Sequence, residues 1–216
     1  MTDMIEIPSA SFIEKFKNIT GAFSVAEGIA LYNICVSSPD GLWVELGSHK
    51  GKSSSCIMLA VRESVSVDFI EPEFKDKWWR VTFLDTLLFT AHVEVSINVL
   101  DKYSLDYLSG LTESPSFVFV DSGVHDDMVM EEAKMLEDKM IPQGIIAFHD
   151  YKNQFTAVER AYNYLLSTGK YEVVSIDWPA ILKYVTENNL EEGNNSWHQY
   201  PELGHPPNFV GALRRK

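Results

Sequence analysis

Apolar residues recur along this chain with two periods, and the two alternate. Short runs rich in β-branched and aromatic side chains predict strands over 42–46, 65–70, 93–99, 117–120 and 145–148, with two later ones over 171–176 and 209–213. Between them the spacing becomes helical. It predicts helices over 9–20, 24–36, 52–62, 78–89, 104–111, 126–139 and 156–167. Phe12, Ile13 and Phe16 share one side of the first, which Ser9 or Ser11 would cap. Strands that alternate with helices indicate an α/β domain built on a mainly parallel sheet. The strands are almost uninterruptedly apolar, as expected when helices cover both faces. A polar stretch from about 187 to 207 breaks the alternation and reads as a long surface loop.

The chemistry gathers where strands stop. In open parallel sheets ligands bind beyond the carboxyl ends of the strands, and those ends carry Glu45, Glu71, Asp121 and the pair His149-Asp150. After Glu45 the chain enters Leu46-Gly47-Ser48-His49-Lys50-Gly51-Lys52-Ser53 and then a helix. Gly47 and Gly51 leave room for a ligand close to the backbone, and the following helix N-terminus offers partly positive donors. The turn is not a phosphate-binding Walker loop, because Leu46 stands where the first glycine is required. Lys52 reads as a solvent-facing helix residue.

Glu71, ending the second strand, suits the paired hydroxyls of a ribose. Asp121, His149 and Asp150 offer oxygen and imidazole donors for a divalent cation, magnesium or manganese. His125 lies just beyond Asp121 and would serve as a general base, a role also open to His149. Trp197, His198, Tyr200 and His205 in the late loop would border a substrate pocket.

Composition narrows the partners. The chain has 216 residues, 45% hydrophobic and 23% charged, enough for one sizeable core. No apolar run approaches the roughly 20 residues of a membrane span. No secretory signal is expected from the N-terminal residues. A formal net charge of −13 opposes nucleic-acid phosphates and favours a small-molecule partner. The two cysteines, Cys35 and Cys56, read as buried thiols of a reducing, cytoplasmic compartment. A homodimer is a reasonable expectation for a small enzyme.

The motifs resemble those of class I S-adenosylmethionine-dependent methyltransferases, especially the small-molecule branch that includes macrocin O-methyltransferase. Residues 45–53 resemble the first family motif, 119–125 the strand–Asp–loop–His motif, and 144–151 the glycine–strand–His-Asp motif. Gln143 departs from that pattern, in which glycine is common. The resemblance covers about residues 40–178. It implies a Rossmann-like three-layer fold with a mostly parallel seven-stranded sheet and an antiparallel last strand. It divides one domain into N-terminal helices (1–38), a cofactor-binding core (40–178), a variable loop region (179–207) and the last strand (208–216).

The implied activity is methyl transfer to a hydroxyl of a small molecule. S-adenosylmethionine would meet Glu45, Gly47, Ser48, Gly51, Ser53, Glu71, Asp101, Ser104 and Asp121. A magnesium or manganese ion would sit on Asp121, His149 and Asp150, with His125 favoured as base over His149. Two other readings keep the same sheet. One is an NAD(P)-dependent oxidoreductase, against which the Gly-x-x-x-Gly spacing of 47 and 51 counts. The other is a non-catalytic S-adenosylmethionine-binding protein.

Overall fold

The computed structural model describes residues 5–21, 23–88, 90, 95–123, 127–151, 156–190 and 209–216. Two helices come first. Helix α1 (Ala10–Asn18) is capped by the Ser9 hydroxyl, which accepts from the Phe12 amide. Helix α2 (Val25–Val36) starts in a reciprocal capping box. The Ser24 hydroxyl accepts from the Glu27 amide, and the Glu27 carboxylate accepts from the Ser24 amide.

The alternating body follows as β1 (Gly41–Leu46), α3 (Lys52–Ala60), β2 (Val65–Ile70), a 3-10 turn (Pro72–Lys75) and α4 (Lys77–Leu88). It continues through β3 (Ser96–Leu100), α5 (Ser104–Gly110), β4 (Phe117–Val120), α6 (Met128–Leu136), β5 (Ile145–Tyr151) and α7 (Thr156–Ser167). It closes with β6 (Tyr171–Val173), α8 (Trp178–Glu187) and β7 (Phe209–Arg215).

The strands form one seven-stranded sheet in the order β3-β2-β1-β4-β5-β7-β6. Strands β3 to β5 are mutually parallel, and β7 runs antiparallel to both β5 and β6. This is the mostly parallel sheet with a reversed last strand that the motifs implied.

Successive residues along each strand feed opposite layers. Trp43, Phe69, Phe117, Phe119 and Ala147 pack with α1, α2, α3 and α4 on one face. Leu42, Val44, Val118, Ile146 and Phe148 pack with α6 and α7 on the other. Both faces are therefore buried, which is why the strands lack polar alternation. The chain leaves β1 for β2 on one side and reaches β4 on the other. The sheet thus has its topological switch point between β1 and β4, where such sheets open a crevice.

Four elements differ from the sequence expectation. Strand β3 begins at Ser96, where it pairs with Ser66 on the sheet edge, rather than at 93; positions 93 and 94 lie outside the described residues. Strand β5 does not stop at Phe148. It runs through His149 and Asp150 to Tyr151 because β7 pairs with it to the end, across a register shift between Phe148 and Tyr151. Strand β6 is cut to three residues, the length over which it meets β7. Helix α8 falls where a loop was expected from 179 onward. The Asp177 side chain accepts from the Ala180 amide, Pro179 stands in the first turn, and Ile181 and Val185 bury one face. Among the described residues no helix is long and apolar enough to cross a membrane.

Candidate active site

The turn after β1 is built on backbone geometry that only glycine takes easily. Gly47 has φ +91°, and a Cβ there would lie 2.4 Å from the Asp121 carbonyl oxygen. Its amide donates to the Ile70 carbonyl at 2.9 Å. One residue thereby ties together the ends of β1, β2 and β4. Gly51 has φ +88° at the start of α3, and a Cβ would press on Phe83 and Thr86 of α4. Its freedom serves the turn and the α3–α4 contact.

A cavity of about 450 Å³ opens over these strand ends. Gly47, Ser48, Ser53, Glu71, Ser104, Asp121, His149 and Asp150 all line it, as the sequence led us to expect. Glu45, Gly51 and Asp101 are not in its wall. Glu45 is wholly buried below the turn, where its carboxylate accepts from the Ser53 hydroxyl at 2.6 Å and from the Ser54 hydroxyl. Burial pushes its pKa up to about 7, against the lowering effect of those serines. Glu45 therefore anchors the start of α3 and does not face a ligand. Asp101 is exposed, and the neighbouring Tyr103 and Ser104 take its place in the wall.

Lys52 is a correction. It is only 5% exposed, and its Nζ sits 5.0 Å from the centre of the Phe16 ring. Helix α1 covers this side of α3, so a position that reads as solvent-facing in isolation becomes part of the cavity wall. Gly21 and Phe23, between α1 and α2, line the cavity as well. So do His49 and Lys50. Gly21 and Phe23 carry no sequence signal for this, whereas His49 and Lys50 belong to the 45–53 motif, which does not single them out as cofactor contacts.

Glu71 is held in place by backbone donors. Its Oε2 accepts from the His49 amide at 2.9 Å and its Oε1 from the Glu73 amide at 3.1 Å. Each carboxylate oxygen has a further lone pair for a ligand hydroxyl. The His49 ring lies 4.7 Å from the Trp79 ring. Burial, and then the nearby Lys50 charge, hold its pKa below the ordinary imidazole value. Two hydroxyl oxygens of cavity-lining residues, those of Ser48 and Ser104, are buried without a well-aligned hydrogen bond among the described residues, although Ser48 lies close enough to Glu45, and Ser104 to Glu132, to favour the ionised carboxylate. Such atoms are costly unless something polar meets them, and a bound ligand would do so.

The second cluster spans β4, β5 and α2. His149 Nδ1 lies 2.9 Å from Asp121 Oδ1 and 3.5 Å from Asp150 Oδ2. Its Nε2 faces Glu27 Oε1 at 3.2 Å. Ligand atoms of Asp121, His149 and Asp150 all fall within 4.8 Å of one another. Asp150 reaches this position through a left-handed backbone, φ +58°. Burial opposes charging of His149, but the Asp121 and Glu27 carboxylates overcome it and hold its pKa well above the usual value. A divalent cation would displace the proton on Nδ1 and meet one imidazole nitrogen and the Asp121 and Asp150 carboxylates, a donor set that suits it. Glu27 was missed as a site residue, although the spacing Ser24-x-x-Glu27 marks it as a helix-capping group. His125, Trp197, His198, Tyr200 and His205 lie outside the described residues.

Comparison with known proteins agrees with this geometry. A family model described as a methyltransferase domain matches residues 44–151, from within β1 to the end of β5. No curated protein matches. The fold resembles the O-methyltransferase of Bacillus cereus solved with SAH, at 12% identity and TM-score 0.63 over 98% of this chain and 94% of that one. It also resembles the O-methyltransferase TomG of Streptomyces achromogenes, solved with SAM and involved in tomaymycin synthesis, at 13% identity, TM-score 0.61 and coverage of 97% and 91%. A third similar structure is the SAH-bound methyltransferase PaMTH1 of Podospora anserina, at 13% identity, TM-score 0.62 and coverage of 97% and 89%. With its cavity at the strand ends and its reversed last strand, the chain belongs to the methyltransferase-domain family and has the Rossmann-like fold of that class.

Proposed function

We propose that this protein transfers the methyl group of S-adenosylmethionine to a hydroxyl of a small molecule, with help from a divalent metal. The supporting observation is convergence. Glu71 after β2, Ser104 at the start of α5, Asp121 after β4, and His149 and Asp150 in β5 line one cavity. In this reading Glu71 accepts from the ribose hydroxyls, and the Ser48 and Ser104 hydroxyls, poorly satisfied within the protein, meet polar groups of the cosubstrate. The glycine turn at Gly47 gives close access to the backbone. The macrocin O-methyltransferase branch, to which the His-Asp motif at 149–150 is similar, is the finer placement we favour.

Asp121, His149 through Nδ1, and Asp150 would hold magnesium or manganese. When bound, such an ion lowers the pKa of an acceptor hydroxyl and orients its oxygen. Both ring nitrogens of His149 already face carboxylates, so it serves better as a ligand than as a free base. Removal of the hydroxyl proton is assigned to His125. The cavity wall would hold the acceptor oxygen near the methyl donor, and such placement would supply most of the rate. The buried thiols of Cys35 and Cys56 suit a reducing, cytoplasmic setting.

Calorimetric titration with S-adenosylmethionine, S-adenosylhomocysteine and NAD, each with and without magnesium, tests the proposal. Saturable binding of the first two is expected. Binding of NAD alone would replace the reading with an oxidoreductase. Cosubstrate binding without turnover across a panel of phenols and sugar hydroxyls would indicate a binding protein. Full activity after rigorous chelation would remove the metal.

A further inference from the structure

Glu27 sits at the third position of α2, yet it is not an ordinary surface cap. It is 1% exposed, and its two oxygens serve different elements. Oε2 accepts from the Ser24 amide at 2.7 Å and closes the capping box. Oε1 faces His149 Nε2 at 3.2 Å, across 122 residues of sequence. Glutamine would complete the same cap. What glutamine lacks is the second, charged acceptor that an imidazole N–H prefers. The His149 ring is also fixed in place by packing, with its centre 5.0 Å from that of Phe23 and 6.3 Å from that of Phe119.

We propose that Glu27 is a positioning residue for His149: held by the cap of α2, its carboxylate accepts from Nε2–H and so aims Nδ1 at Asp121 and Asp150. A histidine presents one nitrogen to a metal only when the other has a partner that fixes the tautomer. Helix α2 precedes the matched family region, which begins at residue 44. The N-terminal helix therefore contributes to the site and does not merely cover the sheet.

The inference rests on the metal reading for its affinity arm, but its proton placement can be read separately. The test uses the full chain with 15N-labelled histidine, together with Glu27→Gln and Ser24→Ala. In the metal-free wild-type protein, the His149 Nε2 resonance should be that of a protonated nitrogen. In Glu27→Gln the amide oxygen stays on the Ser24 N–H, so the NH2 group faces Nε2. Nε2, now facing a donor, should then give up its proton, and the ring should keep only the one on Nδ1 against Asp121. Manganese affinity, read by electron paramagnetic resonance, should fall roughly 10–100-fold, while S-adenosylhomocysteine affinity stays unchanged. Ser24→Ala weakens the cap alone. It should lower the Tm and leave both the Nε2 signal and manganese affinity as in wild type.

An unprotonated Nε2 in the wild type would overturn the inference. So would a protonated Nε2, or wild-type manganese affinity, in Glu27→Gln. If the wild type binds no manganese while Nε2 is protonated and responds to Glu27→Gln, the metal reading fails and the positioning role stands.

Discussion

His149 Nδ1 lies 2.9 Å from Asp121 Oδ1, and this contact joins the ends of β5 and β4. The two residues are 28 apart in sequence. They meet because Val120 and Phe148 are paired neighbours in the sheet, and each of the two residues follows one of them. Asp150 completes the group by turning back through a left-handed backbone.

Removing either carboxylate of this group should cost metal binding and turnover together. For Asp121→Asn and Asp150→Asn we expect manganese affinity and methyl transfer to fall by at least the roughly 10–100-fold that loss of a metal-site partner costs. Electron paramagnetic resonance and a turnover assay measure the two losses. Asp150→Asn should leave S-adenosylhomocysteine affinity intact, which separates a metal role from a cosubstrate role.

Glu71→Ala should weaken S-adenosylhomocysteine by about 10–100-fold, since hydrogen bonds to a charged group contribute roughly 1.5–3 kcal/mol. Calorimetry reads the change directly. Unaltered affinity would mean that the ribose lies elsewhere. Because Glu71 also accepts from the His49 and Glu73 amides, a modest fall in Tm should accompany the loss.

Gly47→Ala should be among the most damaging single changes in the chain. The left-handed backbone alone costs a side chain roughly 1–2 kcal/mol. The added Cβ would also lie 2.4 Å from the Asp121 carbonyl, which is backbone and cannot rotate away. Gly51→Ala has the same backbone cost but meets only side chains, the nearest at 3.1 Å. Thermal denaturation should therefore rank Gly47→Ala well below Gly51→Ala.

Glu45 links stability to pH. Its folded pKa is raised to about 7 from the ordinary glutamate value of 4.5, chiefly by burial. The folded state thus holds a proton that the unfolded state has released between those values. Stability from this group is fully present below about pH 4.5 and is lost as the pH rises through about 7, a change on the order of 3 kcal/mol. Glu45→Gln keeps an acceptor for one of Ser53 and Ser54, turns an NH2 donor to the other, and removes the titration. Its Tm between pH 5 and 8 should fall less steeply with rising pH than that of the wild type. Parallel profiles would show that Glu45 does not titrate in this range.

The strand ends were legible because the sheet is parallel and buried on both faces. An apolar run that stops at Glu71 or Asp121 marks a point where the chain leaves the sheet, and parallel strands place all such points on one edge. Glu71, Asp121, His149 and Asp150 could be singled out on that basis. Glu45 obeyed the same rule and still proved to face inward, because the serines at the start of α3 take up its carboxylate. The rule locates an edge but does not give a side chain's direction.

Sequence by itself determined the alternation of strand and helix, the glycine turn and the acidic strand ends, because each depends on neighbours within a few positions. Only the tertiary structure decided which of those residues share a cavity. Lys52 is buried by α1, Glu27 is brought to His149 by α2, and α8 occupies the start of the region expected to be a variable loop from 179 onward. These outcomes depend on how helices far apart in sequence pack against one sheet. Local periodicity says which face of a helix is apolar, but not which side chain of another element will lie against it.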